Sequence, residues 1–192
     1  MSPETEPIEE LTALDAVPAA VFEAAIAPFF EGAPAFLARI AAARPFGGWL
    51  ALFEAARLIA HAMPAQEQVE LIDAHPRLGA SPASVSAMSF QEQGYEREAA
   101  ANLASEAALD RDRVAAELER LNLAYEARFG FRYCVFVAGR SRSELLPDMR
   151  AALARERDSE LHRALDAVID IAMDRQRTLA GATAPAPAEP RA

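Results

Sequence analysis

Apolar residues recur every three or four positions along most of the chain, the period of a helix with one buried face. Leu50, Phe53, Ala56, Leu58 and Ile59 predict a helix over 48–62, closed by Pro64. Val69 and Ile72 put 65–74 on a second one, which stops at His75-Pro76 because a proline disfavours the helical region for the residue before it. Val114, Leu118, Leu121 and Tyr125 are in register over 111–128, and Leu161, Leu165, Val168, Ile169 and Ala172 over 159–179. Short helices are expected between 18 and 44, one from near Ser89, and one across 141–157.

One stretch breaks the period. Residues 129–137, Phe-Gly-Phe-Arg-Tyr-Cys-Val-Phe-Val, are aromatic and β-branched and bounded by Gly130 and Gly139, which predicts a short buried extended segment. Composition otherwise agrees with helix: 46 alanines against 8 glycines favour helix and leave few positions for tight β-turns. The expectation is an all-α, single-domain helical bundle over 11–180. Residues 1–10 are expected to be a flexible N-terminus and 181–192 a disordered Ala/Pro tail.

The formal charge is −10, and all 19 cations are arginine. Without lysine there is no Schiff base, no pyridoxal-phosphate anchor and no phosphate-loop amine. The acidic balance argues against nucleic-acid and anionic-membrane partners, where binding depends on counterion release to a cationic surface. A single cysteine, Cys134, and three scattered histidines, His61, His75 and His162, suggest neither a disulfide nor a metal centre. A polar, acidic N-terminal stretch and the lack of a long apolar run lead to a cytoplasmic expectation.

Two groups stand out as candidate chemistry: His75 beside Pro76 and Arg77, and the cluster Ser89, Glu92, Gln93. Each has a plain structural reading. A histidine in the last turn of a helix complements its dipole, and Ser89-x-x-Glu92 has the spacing of a capping box, as does Ser141-x-x-Glu144. His61 and His162 lie in helical stretches with no evident partner, and Cys134 reads as a small core residue.

The ordered set of motifs changes that balance. Arg44-Pro45-Phe46, His75-Pro76-Arg77-Leu78-Gly79, Ser89-x-x-Glu92-Gln93, Leu121-Asn122-x-x-Tyr125-x-x-Arg128-Phe129-Gly130-Phe131 and Gly139-Arg140-Ser141 follow one another. In this order they resemble the 2-oxo-4-hydroxy-4-carboxy-5-ureidoimidazoline (OHCU) decarboxylases, over roughly 22–179. The resemblance implies an all-helical, homodimeric, cofactor-free enzyme of urate breakdown that removes CO2 from an unstable ureidoimidazoline to give (S)-allantoin. It implies that His75 is the catalytic acid/base, assisted by Glu92, and that Pro76, Ser89, Gln93 and the stretch Tyr133, Cys134, Val135, Phe136 and Val137 form the substrate pocket. A His75–Glu92 dyad would hold the imidazole tautomer and favour its charged form, so that it titrates near neutrality.

Three departures from the family pattern bear on the substrate. Ala152 stands where the resemblance implies a substrate-binding arginine, Arg132 replaces a proline, and Gly94-Tyr95-Glu96-Arg97 replaces the usual Ala-Gly-Leu. Rescue of the missing guanidinium is expected from Arg155, Arg132 or Arg77. Two other readings follow from these departures: a lyase of the same fold acting on another small ureide or carboxylated heterocycle, or a non-catalytic helical dimer.

Overall fold

The computed structural model describes residues 11–81, 85–93 and 105–183. Its elements are α1 (Leu11–Asp15), α2 (Ala19–Ile26) running into a 3-10 turn (Ala27–Phe30), α3 (Pro34–Ala42), α4 (Trp49–Ala62), α5 (Ala65–Asp73), α6 (Ala87–Glu92), α7 (Ser105–Phe129), α8 (Arg142–Ala152) and α9 (Arg157–Thr183). Among the described residues there is no strand, so the all-α expectation holds. Residues 1–10 and 184–192 lie outside the described residues, and the helix α9 runs to Thr183, three residues into the stretch expected as tail.

Helix α9 is the axis of the fold, packing on α4, α5 and the 3-10 turn. Its core stripe, Leu161, Leu165, Val168, Ile169 and Ala172, is buried as the spacing predicts. Prolines punctuate as expected: Pro64 precedes α5, and Pro34 opens α3. The helix predicted over 141–157 ends instead at Ala152, and a short turn separates it from α9.

Two local expectations need correction. Helix α6 begins at Ala87 rather than near Ser89, and its N-cap is Ser86, whose hydroxyl accepts from the Ser89 amide. Ser89 and Glu92 are therefore not a capping box. The matching spacing at Ser141 and Glu144 is one, with both reciprocal bonds formed. His61 and His162, read as partnerless, face each other across α4 and α9 with ring centroids 5.0 Å apart, and His61 Nε2 lies 2.9 Å from Asp166 Oδ1.

The Arg44-Pro45-Phe46 motif is structural. The Arg44 guanidinium donates to the carbonyls of Ala41 and Val17 at 2.9 and 2.7 Å, while Asp15 Oδ2 accepts from the Phe46 and Gly47 amides. These bonds tie α1 to the link between α3 and α4.

Candidate active site

The site grows from three short pieces of chain, each pinned from behind. His75 follows the last turn of α5, where its amide donates to the Ile72 carbonyl. The next residues turn sharply at Gly79, whose φ of 80° suits glycine, and a Cβ there would stand 2.9 Å from Leu118 Cδ1. Gln93 holds this turn, its Oε1 accepting from the Gly79 amide at 2.9 Å and its Nε2 donating to the Arg77 carbonyl. Asn122 of α7 donates to the Leu78 carbonyl at 3.0 Å, and Arg132 donates through Nη1 to the carbonyls of Asp73 and His75 at 2.6 and 3.0 Å.

Residues 131–137 form the second piece. They are extended, with Phe131, Tyr133, Cys134 and Val137 buried, but they join no sheet. Their backbone is held by arginines instead: Arg163 donates to the Cys134 carbonyl at 2.9 Å, and Arg140 to those of Phe136 and Val137 at 2.8 and 3.1 Å. Arg163 is itself placed by Glu160, a fully buried carboxylate that also takes the Tyr125 hydroxyl and Arg155. None of the amide N–H groups of 133–137 donates to a described residue. Amide donors that no described residue takes up, on chain that is buried at Tyr133, Cys134 and Val137 and partly exposed at Val135 and Phe136, are available to water or to a ligand that supplies acceptors.

The third piece is α6, and what positions it is Arg175 of α9. This guanidinium is 1% exposed. It forks onto Glu92, with Nε to Oε1 at 2.6 Å and Nη2 to Oε2 at 2.9 Å, and it also donates to Glu31 Oε1, Ser89 Oγ and the Pro28 carbonyl. Burial opposes ionisation of Glu31, yet hydrogen bonds from Ser89 and Ser86 and the Arg175 charge outweigh it and hold the carboxyl below the usual range.

These pieces enclose a cavity of about 390 Å³. His75, Pro76, Ser89, Glu92, Gln93, Tyr133, Cys134, Val135, Phe136 and Val137 all line it, so the structure brings to one place the ten residues to which the family resemblance gave a site role. It does not join His75 to Glu92. Both Glu92 oxygens are taken by Arg175, and the imidazole finds a different partner: its Nδ1 lies 3.3 Å from the Leu71 carbonyl. A carbonyl only accepts, which assigns the proton to Nδ1 and leaves Nε2 a buried, unpartnered lone pair. Burial, reinforced by the Arg175 charge and resisted by Glu31 and the Leu71 carbonyl, pushes the His75 pKa down to about 4. The expected titration near neutrality is thus corrected, and the imidazole is a neutral acceptor at pH 7.

The arginine problem also resolves differently. Ala152 is fully buried in the apolar core and does not line the cavity. Arg155 is paired with Glu160, Arg77 with both oxygens of Glu126, and Arg132 with backbone carbonyls, so none of the three expected substitutes reaches the cavity wall. Arg175, which sequence reasoning missed, holds the α6 wall from behind, as Arg163 and Arg140 hold the extended segment. A signal existed: Arg175 continues the α9 core stripe three residues beyond Ala172, where a charged residue is unexpected unless it is paired. Cys134 behaves as expected, its buried thiol pushed up to about 12 and so not a nucleophile at neutral pH. No group of His, Cys, Asp and Glu suited to a metal occurs among the described residues, and no described helix is long and apolar enough to cross a membrane.

The fold is similar to two solved structures. One is an OHCU decarboxylase crystallised in the presence of (S)-allantoin (22% identity, TM-score 0.57, covering 78% of this chain and 93% of that one). The other is an (S)-allantoin synthase (18% identity, TM-score 0.60, 88% of this chain), of which this chain spans about half, 54%. Among curated protein sequences no match was found. The sequence profile of the OHCU decarboxylase family matches residues 15–177, nearly the whole described fold, and the chain belongs to that family.

Proposed function

We propose that this protein decarboxylates OHCU to (S)-allantoin, and that His75 and Glu92 with the pocket around them carry the reaction. The observation that carries this reading is the unpartnered Nε2 of a neutral His75, buried against a cavity that Glu92, Ser89 and a run of free backbone amides also line. When the carboxylate leaves as CO2, the bonding electron pair passes into the ring, where the adjacent imine and carbonyl delocalise it. A proton is then added to one face of the planar intermediate. The electron sink lies within the substrate, so the chemistry asks of the protein only orientation, donors and a proton carrier.

His75 Nε2 accepts a proton from the substrate and returns it to the ring, with Nδ1 anchored on Leu71 throughout. The free amides of 133–137 take the oxygens on which charge builds. Glu92 supports this indirectly, holding Arg175 and with it the α6 wall of the cavity. A cofactor-free homodimer belongs to the same proposal. The open cavity weighs against a purely structural role, in which that space would be filled.

The test is to generate OHCU in situ from urate with its oxidase and hydrolase, then follow CO2 release and optical rotation. The wild type should release CO2 faster than the spontaneous reaction and give one enantiomer of allantoin, while His75→Ala should fall to the spontaneous rate and a racemic product. Spontaneous decay to racemate with the wild type would overturn the reading. In that case Asp174, an acidic group foreign to the motifs above, would favour the second reading, a different small ureide as substrate.

A further inference from the structure

The polar groups around the cavity divide sharply into satisfied and unsatisfied. Both Glu92 oxygens are taken by Arg175, Ser89 Oγ donates to Glu31 and accepts from Arg175, and Gln93 Oε1 accepts from the Gly79 amide. The carbonyls of Cys134, Phe136 and Val137 each hold an arginine. Three lining side chains keep a polar atom outside this net among the described residues: His75 at Nε2, Tyr133 at its hydroxyl, and Asp174, which differs from the other two in carrying a charge. Asp174 stands next to Arg175 in α9 and one turn beyond Ile171, which also lines the cavity, yet its carboxylate makes no hydrogen bond or ion pair with any described residue. It is half-buried, on the wall shared with an adjoining hollow of about 250 Å³ that Gln91 and Thr178 also line. A half-buried carboxylate with both oxygens idle, beside a guanidinium already saturated by two other acids, is a charged acceptor without a donor.

We infer that Asp174 receives the N–H groups of the substrate's ureido arm and so selects ligands that carry one. This rests on the proposed function in taking a ureidoimidazoline as the ligand. A urea presents two N–H groups on one edge, which match the two oxygens of a carboxylate as a bidentate, charge-assisted pair. The ligand's own acceptors have the complementary surface, the free amides of 133–137. Negative charge at Asp174 also repels a substrate carboxylate, so the binding direction is set: ureido arm toward α9, carboxylate toward the amide donors of the extended segment.

The experiment is calorimetric titration of the folded, full-length protein with (S)-allantoin and with hydantoin, the same ring without the ureido arm. Wild type should bind (S)-allantoin about tenfold or more tighter than hydantoin, the scale of one charge-assisted hydrogen-bonded pair. Asp174→Leu should erase that preference and leave hydantoin binding unchanged, and Asp174→Asn, with one acceptor oxygen, should fall between. An unchanged (S)-allantoin affinity in Asp174→Leu, equal losses for both ligands, or a wild type without the preference would each overturn the inference. Binding does not depend on turnover. A wild type that discriminates as expected but does not decarboxylate OHCU would leave the Asp174 assignment standing and remove the decarboxylase reading alone.

Discussion

At the residue scale His75 shows how burial converts a pH switch into a fixed base. Its folded-state pKa of about 4 lies below the ordinary value of 6.5, so below pH 6.5 the unfolded chain binds a proton that the folded one refuses. Stability should therefore fall as pH drops from about 6.5 to about 4 and gain no further loss from this group below that. The contribution is about 3 kcal/mol by linkage. It is measured as the difference between wild type and His75→Gln in urea titrations at pH 7 and pH 4, with the variant losing less on acidification. The same protonation blocks Nε2, so kcat/KM should stay level from pH 8 to about 5 and decline only as the pH approaches 4. A decline centred near 6.5 would mean that the imidazole is solvated and paired as the sequence suggested.

Among elements, the decisive one is the turn from His75 to Gly79, because side chains from three other parts of the chain hold its carbonyls and amides. Gln93 grips it from just past the end of α6, Asn122 from α7 and Arg132 from the extended segment. The replacement of proline by Arg132 adds to this grip, since its amide donates to Asp73 Oδ1 at 2.8 Å and its guanidinium to the His75 carbonyl. Gly79→Ala would strain a left-handed residue and press Cβ onto the buried Leu118. It should lower stability by about 1–2 kcal/mol, read from the denaturant midpoint, and reduce kcat more than that loss explains by shifting His75. Only the start of this turn was legible, since His75-Pro76 stops α5 and the His-Pro-Arg-Leu-Gly order marks a motif without giving its shape. Its anchors were not, because Asn122 and Gln93 reach it over 44 and 14 residues of sequence, and periodicity is blind to such distances.

On the scale of the whole molecule, Arg175 joins α9 to the 3-10 turn and to α6 through Glu31, Glu92, Ser89 and the Pro28 carbonyl. Arg175→Met would leave two carboxylates facing each other without their cation, and breaking a buried pair in this way costs about 3–5 kcal/mol. Thermal unfolding should show that loss, with Arg175→Lys intermediate because an amine cannot fork onto Glu92 while reaching Glu31. By itself the sequence determined the helical class, the positions of α4, α5, α7 and α9 and the extended stretch, and its ordered motifs pointed to ten of the fifteen residues that line the cavity. Helical periods and proline stops are local, and the ordered motifs each lie within a few residues. Only the tertiary structure decided which acid meets which base. Ser89 and Glu92 looked like a cap and Glu92 like the partner of His75, yet a guanidinium 83 residues along the chain claims Glu92, while burial, reinforced by that guanidinium's charge, keeps the imidazole neutral. Charge pairing in a buried site depends on distance and desolvation, quantities set by how helices pack and written in no single stretch of the chain.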